Sequence, residues 1–100
     1  MENVRKFADF VDGVEVSSLY FYWVRLPGRY LGVIELVQTV EAYRRQGRAS
    51  ALIREAIAFG KTLGLDCIEL TVREDKPEIQ AFYQSLGFTD RLNRAYRLKL

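Results

Sequence analysis

The chain has no histidine, one cysteine and two prolines among its 100 residues. With no histidine and Cys67 as its only thiol, one chain cannot build a zinc site or a Ser-His or Cys-His nucleophilic pair. A lone cysteine also forbids an internal disulfide, so the fold does not rely on an oxidising compartment. Set in a strand, Cys67 reads as a small buried apolar residue. Proton transfer near neutral pH is left to carboxylates, tyrosines, lysines and that thiol. No apolar run approaches the roughly 20 residues that span a bilayer, and Met1-Glu2-Asn3-Val4-Arg5-Lys6 leads into no signal-like segment. The expectation is a cytoplasmic protein with no membrane partner. The net charge of +2 is too small to argue for nucleic acid.

What is present is ordinary for a globular domain: 49% apolar and 28% charged residues, with aromatics at 13%. The length suits one domain, residues 1–100. No internal repeat, low-complexity tract or linker interrupts it.

Val4 to Val11 reads as a strand. Asp12-Gly13 is a strong hairpin turn signal. Val14 to Arg25 reads as a second strand, whose aromatic run from Leu19 to Val24 suggests burial on both faces. Pro27-Gly28 is a second turn. Tyr30 to Val40 is a third strand, with Val33, Glu35, Val37 and Thr39 alternating against Ile34, Leu36, Gln38 and Val40. The period then changes. Ala49, Leu52, Ile53, Ala56, Ile57, Gly60 and Leu63 predict a helix from about Gly47 to Leu63, closed by Gly64. Cys67 to Arg73 alternates as a strand. Pro77 suits the first turn of a second helix, which carries Ile79, Phe82 and Leu86 on one stripe and ends at Gly87. Tyr96 to Leu100 reads as a last strand, with Phe88 and Thr89 as its possible opening. The fold class is α+β with an α/β-type central unit: β-β-β-α-β-α-β, an antiparallel meander followed by a βαβ unit in a mixed sheet.

The segment Tyr43-Arg44-Arg45-Gln46-Gly47-Arg48-Ala49-Ser50 lies between the third strand and the first helix. It places main-chain N–H groups at a helix start, small residues at Gly47 and Ala49, and three arginines alongside, which is equipment for a phosphate. A Walker A loop is absent. So is the three-glycine dinucleotide fingerprint.

Arg44-x-x-Gly47-x-Ala49 resembles the Arg/Gln-x-x-Gly-x-Gly/Ala signature of the GNAT superfamily of acetyl-CoA-dependent N-acetyltransferases. Downstream, Phe82-Tyr83 with Gly87-Phe88 resembles that family's second signature, a helix ending in Phe-Tyr-x-x-x-Gly-Phe. Both motifs occur in the right order on the expected elements, and the resemblance covers roughly residues 4–100. It implies a GNAT-like mixed sheet and transfer of acetyl from acetyl-CoA directly to a primary amine, with no metal. Main-chain N–H groups of Arg45, Gln46, Gly47, Arg48, Ala49 and Ser50 would hold the pyrophosphate, and Arg44, Arg45 and Arg48 would add charge. Val37, Gln38 and Thr39 would pair with the pantetheine arm, one of their N–H groups polarising the thioester. Tyr83 would protonate the leaving thiolate, and Glu35 would take a proton from the acceptor through water.

The sequence departs from the family in three places. Lys76 stands where many members have Asn, and is expected to reach an oxygen of CoA. Thr71 stands where some have Glu. The usual leading strand and two helices, which help line the acceptor pocket, are not matched within residues 1–100, whose first strand is expected to correspond to the family's second. A non-catalytic CoA-binding or protein-interaction module on the same fold is the alternative, and a homodimer is expected to cover the open sheet. Tyr83 as a core aromatic, and Glu35 as a cross-strand partner for an arginine, are the structural alternatives for those two residues.

Overall fold

The structure is a computed structural model describing residues 3–100. Its first unit extends to Leu70, and the second comprises Thr71–Leu100.

In the first unit, β1 (Val4–Val11), β2 (Val14–Leu26) and β3 (Arg29–Thr39) form the expected meander. Both residues of the Asp12-Gly13 turn adopt positive φ, 50° and 77°. That is the mirror-image turn whose twist suits a two-residue hairpin. A 3-10 turn, Glu41–Tyr43, leads to α1 (Arg48–Leu63), and β4 (Cys67–Glu69) follows. The sheet order is β1-β2-β3-β4, and β4 runs parallel to β3. The structure is thus a mixed α+β fold around a four-stranded mixed sheet.

α1 ends as its sequence directs. Gly64 takes φ 76°, and the N–H groups of Gly64 and Leu65 return to the carbonyls of Lys61 and Gly60. Leu52, Ile53, Ala56 and Gly60 are its buried face. On the sheet they meet a core built from Phe7, Val16, Leu19, Phe21, Leu31 and Ile34. Phe59 packs edge-on against Phe7, Phe21 and Trp23, with ring centres 5.3–6.1 Å apart. Arg5 caps Phe7 and Phe59 from 4.5 and 4.7 Å. Reciprocal bonds of 2.8 Å, Tyr30 N–H to Asp66 Oδ2 and Asp66 N–H to the Tyr30 carbonyl, tie the start of β3 to the start of β4.

The strand alternation in β3 breaks at Leu36. Tyr20 faces Glu35, whereas Ser18 faces Gln38, so Leu36 and Val37 together oppose Leu19. Leu36 takes φ 55°. This β-bulge moves Gln38 onto the face of Glu35 and puts Thr39 on the face of Ile34, not beside Glu35 as unbroken alternation predicts. Three further expectations differ. The aromatic stretch of β2 is buried on one face only, with Tyr20, Tyr22 and Val24 each 37% exposed. β4 stops at Glu69, and Cys67 is exposed because β4 is an edge strand. Residues 88–100 form no strand, and Tyr96 and Leu98 are exposed, because an extended run needs a neighbour for its main-chain groups and this one pairs with none among the described residues.

In the second unit, α2 (Pro77–Ser85) begins with Pro77 in its first turn. At its end, Leu86 N–H and Phe88 N–H bond the carbonyl of Tyr83, and Gly87 takes φ 100°. No described helix is long and apolar enough to cross a membrane.

Candidate functional site

The loop between β3 and α1 is built to leave a helix start bare. Gly47 is the residue before α1, at φ 76°, and no side chain caps the helix. The first return bond is Ala51 N–H to the carbonyl of Gly47, so the N–H groups of Arg48, Ala49 and Ser50 have no helical partner. The first turn carries no acidic residue. A Cβ on Gly47 would meet nothing within 4 Å, so space there is open to a ligand. These groups suit an anion: free donors, the positive end of the helix dipole and no competing carboxylate in the first turn.

The three arginines differ. Arg44 donates from Nε to the carbonyl of Thr39 at 3.0 Å, which ties the loop to the end of β3. Arg45 takes φ 63°, is exposed, and has no side-chain partner among the described residues. Arg48 is engaged on three sides: Nη1 meets Asp9 Oδ2 at 2.7 Å, Nε donates to Gln46 Oε1 at 3.0 Å, and Cζ lies 5.1 Å from the centre of the Tyr43 ring. The loop is therefore organised by Arg44 and Arg48 and leaves Arg45 as the unattached cation.

Val37, Gln38 and Thr39 lie just past the bulge. The parallel ladder to β4 comprises only Leu31 with Cys67, Gly32 with Ile68 and Val33 with Glu69. Beyond Val33 the edge of β3 away from β2 pairs with no strand among the described residues. The other edge is held firmly. Ser17, 2% exposed, donates to the Gln38 carbonyl at 3.1 Å and meets the Thr39 hydroxyl at 2.9 Å. Glu35 is exposed on β3 opposite Tyr20 and makes no ion pair with an arginine among the described residues. Leu36 is a bulky residue in left-handed conformation, a strained state of the kind found where function constrains the backbone.

In the second unit, Tyr83 stands half-buried between Phe82 and Phe88, with ring centres 5.1 and 5.8 Å away. Burial pushes its phenol above the ordinary tyrosine value, so the hydroxyl holds its proton at neutral pH. Lys76 precedes α2, and its carbonyl accepts the N–H groups of Ile79 and Gln80. Gln80 reaches back to the carbonyls of Arg73 and Glu74, closing the turn ahead of the helix. The described residues contain no cluster suited to a metal ion.

The family model described as "Acetyltransferase (GNAT) family" matches residues 7–88. The chain belongs to this family. Solved structures agree with the GNAT assignment. A transcriptional regulator from Bacillus halodurans superposes with TM-score 0.88 at 26% identity, covering 100% of this chain and 68% of that one. An acetyltransferase from Trypanosoma brucei gives 0.85 at 27% identity, covering 99% and 70%. AAC(6')-Iy, solved with the bisubstrate analog CoA-S-monomethyl-acetylneamine, gives 0.85 at 18% identity, covering 100% and 71%, a likeness of fold alone. The comparison with curated proteins gives no match.

Two features of this GNAT chain escape sequence reading. The bulge has no marker, since Leu is not a residue that favours left-handed backbone. Asp9 has a faint one: it is a lone carboxylate between Ala8 and Phe10 in a mostly apolar strand.

Proposed function

We propose that this chain is an N-acetyltransferase that passes the acetyl group of acetyl-CoA to a primary amine. The observation that carries the reading is the pairing, within one unit, of an uncapped helix start at Arg48 with an unpaired strand edge past the bulge at Leu36. One suits the pyrophosphate of CoA, the other its extended pantetheine arm.

Acetyl-CoA supplies the acyl group as a thioester. Main-chain N–H groups from Arg45 to Ser50, through Gln46, Gly47 and Ala49, hold the pyrophosphate, with the charges of Arg44 and Arg45 beside it. The main chain of Val37, Gln38 and Thr39 lines up the arm, and one N–H donates to the carbonyl oxygen as it gains charge. Glu35 accepts a proton from the acceptor ammonium through water, freeing the nitrogen lone pair to attack the carbonyl carbon. Tyr83 donates its phenolic proton to the sulfur as the carbon–sulfur bond breaks, and the second proton of the attacking nitrogen passes through water to restore the phenol. Lys76 reaches a CoA oxygen. No covalent enzyme intermediate is required, which agrees with a chain lacking histidine.

Thermal shift tests the reading first. Acetyl-CoA well above its Kd raises the melting temperature. No shift at millimolar acetyl-CoA sinks the proposal. Thiol release is then followed with polyamines, amino acids, aminoglycosides and peptide N-termini. A shift without release across that panel favours the second reading, a non-catalytic CoA-binding module. For the assembly we propose a homodimer, supported by the half-exposed Tyr20, Tyr22 and Val24 on β2. A monomer in sedimentation at tens of micromolar counts against it.

A further inference from the structure

We propose that Asp9 is a positioning residue for anion binding at the start of α1, acting through the side chain of Arg48 and not on the ligand. The inference rests on the acetyltransferase reading. Arg48 is the first residue of α1, so its guanidinium and one of the unpartnered helix N–H groups belong to the same residue. That guanidinium fastens three places at once: Asp9 on β1, Gln46 in the loop and Tyr43 in the 3-10 turn. The loop needs fastening. It carries left-handed residues at Arg45 and Gly47, and no side chain caps the helix. An uncapped helix start frays unless something else holds it.

Asp9 is a firm anchor. It faces Ser17 across the β1–β2 ladder, and Ser17 is buried and bonded to Gln38 and Thr39. The clamp therefore connects the helix start to the strand segment past the bulge through β1 and β2. The pair is partly shielded, with side chains 27% and 32% exposed for Arg48 and Asp9, so solvent and salt weaken it less than a fully exposed pair. By charge alone, an aspartate beside an anion site weakens it. Its contribution must be geometric: it keeps Arg48 off the ligand and the N–H groups of Arg48, Ala49 and Ser50 aimed at one point.

The test compares acetyl-CoA with acetyl-pantetheine, a donor that lacks the pyrophosphate. Asp9→Asn and Arg48→Lys each raise KM for acetyl-CoA about tenfold, the size expected from losing one charge-assisted hydrogen bond that orients a site. In Asp9→Asn, turnover at saturation and KM for acetyl-pantetheine stay unchanged, and Asp9→Glu recovers most of the loss. Should Asp9→Asn fail to fold, Arg48→Lys carries the test, because it keeps the charge and loses the fork that reaches Asp9 and Gln46. Unchanged or tighter acetyl-CoA binding in Asp9→Asn overturns the inference and leaves the acetyltransferase reading standing. Equal loss with both donors also overturns it, as general damage to the fold. Wild-type protein that binds neither donor overturns the acetyltransferase reading and this inference with it.

Discussion

Gly32 and Phe21 touch so closely that no side chain fits between them: a Cβ on Gly32 would stand 2.6 Å from Phe21 Cζ and 2.7 Å from Leu65 Cδ1. Phe21 has no room to retreat, being fully buried against Phe7, Trp23 and Phe59. Gly32→Ala is expected to destabilise by about 1–3 kcal/mol, as overpacking of a dense core does. Gly60→Ala costs less, because its nearest neighbours are 3.1 Å away and alanine returns helix propensity. Urea unfolding of the two variants ranks them.

Gly47 is the opposite case. A Cβ meets nothing, so the cost of Gly47→Ala is conformational alone. Holding alanine in left-handed backbone costs about 1–2 kcal/mol. The melting temperature drops by a few degrees and the stabilisation given by acetyl-CoA shrinks. A variant as stable as wild type would show that the left-handed start is not required.

Leu36 lets strain and sequence be separated. Glycine at this position accepts φ 55° without penalty but loses chain entropy on folding, so Leu36→Gly leaves stability within about 1 kcal/mol of wild type. Leu36→Ile forces a β-branched residue into the same conformation and loses more. If Ile is tolerated as well as Gly, the bulge relaxes in solution. Thiol release measured on the same variants reports whether the bulge matters to turnover.

For Tyr83 the pH dependence has a definite sign. Burial raises its folded value above the ordinary phenol, so the folded state binds more protons between the two. Its contribution to stability is complete below the unfolded phenol value and is lost as pH rises through the folded one. Activity depending on the Tyr83 proton persists to the same raised value. Tyr83→Phe lowers kcat with little change in acetyl-CoA affinity and removes that alkaline limb from the profile. Equal losses in kcat and affinity would assign Tyr83 to packing.

Local signals in the chain were readable where one residue decides the outcome. Asp12-Gly13, Gly64 and Pro77 punctuate the elements because each has a conformational reason independent of its neighbours. The motif Arg44-x-x-Gly47-x-Ala49 was readable for the same reason. What stayed hidden depends on partners. Tyr96 to Leu100 alternates like a strand, yet alternation says nothing about whether a neighbour exists. Leu36 looks like any strand residue, and only the register against β2 shows it to be extra. Arg44, Arg45 and Arg48 look equivalent in sequence, and the contact that ties the last of them to the sheet comes from Asp9, distant in the chain.

The short ladder between β3 and β4 has a consequence for how this protein can vary. A strand edge recognises its guest through main-chain atoms, which every residue type supplies alike. On the acetyltransferase reading proposed above, side chains on that edge can drift without disturbing the grip on the donor, while the surfaces that meet the acceptor change separately. One half of that proposed chemistry is then written in backbone geometry and resists mutation. The other half is written in side chains, and there a new substrate preference can arise without the chain relearning how to hold its acyl donor.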